Sequence, residues 1–153
     1  MEGILFPRAV PERREGLTEY RARGGYEALA NAVKGTPEDI VRIISDAGLR
    51  GRGGKKWQFT RAALETPRYL VMNGGEDEPG SKKDRVLLEK LPHLVIEGAI
   101  LSAYAIGANK AYLYINARYD VAIQSITDAL TEAKAAGYWG GKILGSDFNL
   151  DIE

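Results

Sequence analysis

Along this chain the apolar positions fall into short blocks, and their spacing switches between helical and extended. "YEALANAVKG", Tyr26 to Gly35, has the apolar spacing of a short helix. "TPEDIVRIISDAGLRG" is better marked: Ile40, Ile43, Ile44 and Ala47 share one face of a helix. Thr36 suits its N-cap and Pro37 its first turn. Glu38 and Asp39 suit its positive end, and Gly48 its stop. "RYLVMN", Arg68 to Asn73, is short, apolar and bounded by turn formers, which predicts a buried strand. "RVLLEKLPHLVIEGAILSAYAIGA" predicts two helices, or one kinked at Pro92, because proline cannot donate to the helix ladder. "KAYLYIN", Lys110 to Asn116, predicts a second strand. "RYDVAIQSITDALTEAKAAG" predicts a long amphipathic helix ending at Gly137, with Val121, Ile123, Ile126, Ala129 and Leu130 on its apolar face. "DFNLDIE", Asp147 to Glu153, alternates as a third strand should.

Strand, helix, strand, helix, strand is the order of a parallel sheet with right-handed crossovers. The expected fold class is therefore α/β: a three-layer, mostly parallel sheet flanked by helices. Met1 to Gly24 carries Pro7, Pro11 and many charges, and reads as an extended amino-terminal arm ahead of one domain over 25–153. The last block is itself a strand. An open sheet edge there points to a longer polypeptide or to a partner that covers it.

Composition narrows the chemistry. The 153 residues suit a single core. Twenty-one cationic and 21 anionic side chains cancel, which argues against a general grip on nucleic acid or an acidic membrane. The chain has no cysteine, so it carries no disulfide, zinc thiolate or iron–sulfur ligation of its own, and its one histidine, His93, builds no histidine metal site. No apolar run reaches the roughly 20 residues of a membrane span. The first residues lack the basic start and apolar stretch of a secretory signal. A cytoplasmic, or cytosol-facing, protein is the expectation.

Two loops carry the candidate chemistry. In "GLRGRGGKKWQFT", Gly51, Gly53 and Gly54 let a ligand approach main-chain N–H groups, and Arg52 and Lys56 add positive charge. Donors plus cations suit a phosphate. The spacing is not that of a nucleoside-triphosphate P-loop, and no strand precedes a G-x-G-x-x-G run. In "NGGEDEPG", Asn73, Gly75, Glu76, Asp77 and Glu78 directly follow a predicted strand. Carboxylates there repel phosphate but accept hydrogen bonds from hydroxyls or ring N–H groups. Each loop alone also reads as an ordinary turn, and clustered carboxylates also suit a divalent cation, although the spacing is no EF-hand. Together they suit a nucleotide: phosphate at one end, polar ring at the other. Trp57, Phe59, Tyr69 and Tyr138 are the candidates to stack on such a ring, although aromatics are more often core.

"GLRGRGG…KW", "YLVMNGGEDEPGSKKDR" and "PHLVIEGAILSAYAIGANKAYLYI", in this order, resemble the NADH- and FMN-binding 51 kDa flavoprotein subunit of respiratory complex I. The same module occurs in NAD-reducing hydrogenases and NAD-dependent formate dehydrogenases. The resemblance covers about Gly25 to Glu153, the amino-terminal part of such a subunit. It implies a Rossmann-like FMN-binding domain that takes hydride from NADH and passes electrons singly to iron–sulfur clusters. Gly51, Arg52, Gly53 and Lys56 fall in the family's first FMN loop. Asn73, Gly75, Glu76 and Glu78 fall in its second, and Glu78 matches the acidic residue near flavin and nicotinamide. The cofactors implied are FMN and NAD, with iron–sulfur clusters only in absent segments or partner subunits. The partners implied are subunits of an electron-transfer complex, including an iron–sulfur protein, with a peripheral place on a membrane complex and no membrane insertion of this chain.

The departures are specific. The family usually has a stretch like A-G-F-P-T-G before Lys-Trp, whereas here Gly54 runs into Lys55, Lys56 and Trp57. Gly75 stands where the family's second loop has aspartate, and Lys82 where phenylalanine is common. The chain ends before the family's G-E-E loop, ubiquitin-like domain and cysteine-bearing domain. The alternative is a structural or assembly subunit that keeps the fold without flavin. A nucleotide-binding module without redox chemistry is a third reading.

Overall fold

The structure, a computed structural model, describes residues 10–49 and 66–153. The first glycine-rich loop, with Gly51, Arg52, Gly53, Gly54 and Lys56, lies outside the described residues, as do Trp57 and Phe59.

Within the stretch expected to be an extended arm, Leu17–Ala22 is a short helix, α1. Its cause is tertiary. The Glu132 carboxylate accepts the Leu17 N–H at 3.1 Å and Arg14 Nη2 at 2.5 Å, which ties the segment to a distant part of the chain. Helix α2 (Glu27–Ala32) is shorter than its apolar spacing suggested and closes in turns donated by Lys34 and Gly35. Helix α3 (Pro37–Asp46) begins as its sequence dictates. Thr36 Oγ1 accepts the Asp39 N–H at 3.3 Å, and the Asp39 carboxylate accepts the Thr36 N–H at 3.1 Å. Its apolar face packs only partly. Ile40 and Ile44 are half-buried, while Ile43 is exposed beside an open groove shared with α2.

Strand β1 (Tyr69–Gly74) leads to α4 (Lys83–Lys90) and α5 (Pro92–Ile106). Pro92 separates two helices rather than kinking one: Leu91 donates to Leu87 to close α4, and Pro92 opens α5 where no N–H is required. Gly107 ends α5 at φ +71, a left-handed turn in which Ala108 donates to the Ala103 carbonyl at 2.9 Å. Strand β2 (Lys110–Ile115), helix α6 (Asp120–Ala135) and strand β3 (Asp151–Ile152) follow.

The sheet order is β1-β2-β3, all parallel, with Tyr69 beside Lys110 through to Gly74 beside Ile115. Two successive right-handed crossovers running the same way across a sheet place their helices on one face. Leu70, Met72, Leu113 and Ile115 accordingly pack inward against the core, while Tyr69, Val71 and Tyr114 are exposed on the other face. The described residues thus make two layers of the α/β fold.

The third strand is shorter than its alternation predicted. Leu150 exchanges two main-chain hydrogen bonds with Gly140, antiparallel, and the Phe148 carbonyl accepts from Ile143. Those partners hold residues 148–150 in a fold-back and leave only Asp151–Ile152 to join β2.

The core lies between α5 and α6. Ile96, Ile100 and Ala103 meet Ala122, Ile126, Ala129 and Ala133, all buried. The buried face of α6 is thus rotated from the predicted one. Small alanines let the helices approach closely, and Val121, 61 % exposed, points to solvent. Tyr138, one of the candidates to stack on a ligand ring, is core: it stacks on Tyr26 with ring centroids 3.7 Å apart.

Candidate functional site

In parallel α/β sheets, ligands gather at the carboxyl ends of the strands. Here β1 and β2 end in register, Gly74 beside Ile115, so the loops that follow them leave the sheet side by side. The second predicted loop is one of the two. The other is 116–119, which no motif in the sequence marked.

Asn73 is the last outward-facing residue of β1, and its Oδ1 accepts the Gly75 N–H at 2.9 Å, starting the turn. Tyr114 is its register partner on β2, 63 % exposed. Gly75 is needed for close approach. A Cβ there would lie 2.4 Å from Tyr114 Cε1 and 2.9 Å from Cδ1.

The three carboxylates of the loop do not cluster as the sequence suggested. Glu76 turns inward and is 6 % exposed. Its Oε1 accepts from the Ser81 hydroxyl, from the Lys83 N–H at 3.1 Å and from Lys83 Nζ at 3.2 Å. Burial pushes this carboxyl up, but hydrogen bonds from Ser81, Lys83 and the Arg85 main chain outweigh it and hold the group below the usual carboxylate range. Glu76 is therefore an anion seated at the start of α4, with Oε2 buried and making no hydrogen bond of good geometry. The Tyr119 hydroxyl donates to the Glu76 carbonyl at 2.9 Å, which fastens this loop to the one after β2. Glu78 is exposed at the head of a turn in which its carbonyl accepts the Ser81 N–H at 3.1 Å.

Asp77 faces the neighbouring loop. With Gly75, Tyr114, Asn116, Ala117 and Arg118 it lines a crevice of about 350 Å³. The Asn116 side chain accepts the Arg118 N–H at 3.0 Å, shaping the second rim. Among the described residues neither Asp77 nor Arg118 has an ion-pair partner. Tyr114, Asn116 and Arg118 were legible by the rule that singled out Asn73: each stands at or just past the carboxyl end of a strand.

Of the predicted site residues, Asn73 stands near the end of β1, and Gly75, Glu76 and Glu78 lie in the loop that follows it. Among the described residues there is no group of three or more metal-ligating side chains, and no helix is long and apolar enough to cross a membrane.

The chain is 45% identical over 155 residues to a subunit of the NADH-quinone oxidoreductase of Aquifex aeolicus, covering 97% of this chain and 36% of that protein. It is 40% identical over 144 residues to the like-named NADH-quinone oxidoreductase subunit of Escherichia coli, covering 89% and 32%. The chain thus spans about a third of the length of the curated relatives it matches. Among solved structures, the crystal structure of NAD+-reducing [NiFe]-hydrogenase in the H2-reduced state superposes with a TM-score of 0.67 and 32% identity, over 92% of this chain and 25% of that one. Residues 44–153 match the Nuo51 FMN-binding domain, and with that match across most of its length the chain belongs to this family.

Proposed function

We propose that this chain is the FMN-carrying part of an NADH dehydrogenase module that passes electrons from NADH, through FMN, to iron–sulfur clusters held elsewhere in a multi-subunit complex. The domain is taken as residues 25–153, with α1 of the leading 1–24 segment packed onto its core through Tyr20 and Leu17. The observation that carries the reading is the side-by-side exit of the loops after β1 and β2 at the carboxyl ends of the strands, the first of them holding Glu76 Oε2 as a buried acceptor that makes no hydrogen bond of good geometry. Buried acceptors are normally satisfied, and an exception calls for a donor. FMN offers donors of that kind in its ribityl hydroxyls and ring N–H, so the residues present fit it.

Bound FMN supplies the exchange between a two-electron hydride donor and one-electron acceptors. The protein's part is to bind and orient. Glu76 would accept, and the Asn73 amide would donate, hydrogen bonds at the polar ring or ribityl chain. Gly75 keeps the loop free of a side chain beside Tyr114. Gly51, Arg52, Gly53, Gly54 and Lys56 are assigned the phosphate, because N–H groups and cations suit it. Glu78, exposed on its turn, is assigned a place beside the reacting rings. The chain has no cysteine, so the clusters belong to other segments or to an iron–sulfur partner subunit. A cytoplasmic place, peripheral on a membrane complex, follows from the same reading.

Titration of the full chain with FMN, followed by visible absorbance, tests this. The expected result is saturable, equimolar binding, and loss of the bound flavin's absorbance when NADH is added without oxygen. Absence of saturable binding would overturn the proposal. Binding without reduction by NADH would remove the dehydrogenase part.

A further inference from the structure

We infer that Tyr114 is a contact residue for the flavin ring, held in place for that task by Gly75. The inference rests on the flavin reading above. Three observations on the fold carry it.

Tyr114 stands at the carboxyl end of the central strand β2 and is the register partner of Asn73. It therefore borders both loops of the candidate site. Its ring is 63 % exposed, yet it lies against the loop after β1 closely enough that any side chain at position 75 would displace it. A large exposed aromatic ring seated over a side-chain-free stretch of main chain leaves a flat apolar surface open beside polar groups. Those polar groups are the Asn73 amide and the Asp77, Asn116 and Arg118 rim of the crevice that Tyr114 lines. Flat heterocycles stack on such rings, and the stack is tolerant of the ring's substituents.

The glycine ties the inference to this sequence. The space beside the Gly75 Cα is taken by Tyr114.

The test is a fluorescence titration of the full chain with FMN, comparing the parent with Tyr114→Leu, Tyr114→Phe and Gly75→Ala. Far-UV circular dichroism and melting temperature confirm that each variant is folded. Tyr114→Leu should weaken FMN binding about tenfold, the size of one ring stack. Tyr114→Phe keeps the ring and should hold affinity within about twofold. Its bound flavin should be brighter, because tyrosine quenches an excited flavin by electron donation and phenylalanine does not. Gly75→Ala should weaken binding in the parent and have no further effect beside Tyr114→Leu, since both act through one contact. Equal affinity and emission in Tyr114→Leu and the parent would overturn the inference while leaving the flavin reading intact. Additive losses from the Gly75 and Tyr114 changes would overturn it as well. A parent chain that binds no FMN would remove the flavin reading, and this inference with it.

Discussion

Glu97 on α5 accepts the main-chain N–H of Leu29 at 3.1 Å, so a carboxylate from one helix caps the amino end of another. The same side chain accepts the Tyr26 N–H at 2.9 Å and the Tyr20 hydroxyl, all of it buried. Helix α2 has no cap of its own, since Tyr26 precedes it in a left-handed conformation. Glu97→Leu strands these donors, each costing about 1–3 kcal/mol. The expected loss is about 3 kcal/mol in urea unfolding, with a Tm lower by roughly 10 °C.

His93 and Glu132 make the amino-terminal attachment sensitive to acid. His93 bonds Tyr26 through Nδ1 and Glu132 through Nε2, both at 3.0 Å, and Arg14 binds the other oxygen of Glu132. Burial holds His93 below its ordinary 6.5, although Glu132 pulls the other way. Burial pushes Glu132 up, but the Arg14 and His93 hydrogen bonds bring it down to about 2. The unfolded chain takes a proton on His93 that the folded chain refuses, so stability falls as pH drops below about 6.5. The contribution of Glu132 is present above its ordinary 4.5 and is lost as pH falls towards about 2. Thermal melts across this range should show both declines, and His93→Gln should abolish the upper one. A flat profile from neutral to pH 5 would contradict this.

The buried alanine face of α6 gives a third expectation. Ala129 is fully buried between helices, so Ala129→Leu overpacks the core and should cost about 1–3 kcal/mol. Val121, on the face that the apolar spacing assigned to the core, is exposed, and Val121→Ala should change stability by less than about 0.5 kcal/mol. Chemical denaturation of the two variants separates the faces.

Glu76→Gln should leave the fold standing, because the amide oxygen still accepts from Ser81 and the Lys83 N–H. It removes the anionic acceptor, and FMN affinity should fall about tenfold, the difference between a charged and a neutral hydrogen bond. The carboxyl is held below the usual range, so FMN affinity of the parent should stay level from neutral to mildly acidic pH. Equal affinity in the variant, by equilibrium dialysis, would count against Glu76 as the acceptor.

What the sequence made legible follows the range of the interactions involved. The start of α3 is local, with Thr36, Pro37 and Asp39 within a few residues of one another, and it was readable. The strand–helix order was readable too, and with it the end of the sheet where the site is proposed. Helix α1 was missed because its anchors, Glu132 among them, are over a hundred residues away. The face of α6 was misread because burial there favours small residues over large apolar ones. The acidic loop was located correctly, but three adjacent carboxylates gave no sign that Glu76 turns inward while Asp77 lines the crevice. Tyr114 needed the β1–β2 register before its contact with Gly75 became visible.

The central claim is a nucleotide site at the paired carboxyl ends of β1 and β2, and amide chemical-shift mapping of the full chain during addition of FMN addresses it residue by residue. The account predicts saturable shifts concentrated at 73–83 and 114–119. Shifts confined to the groove between α2 and α3, or no shifts at saturating FMN, would contradict it.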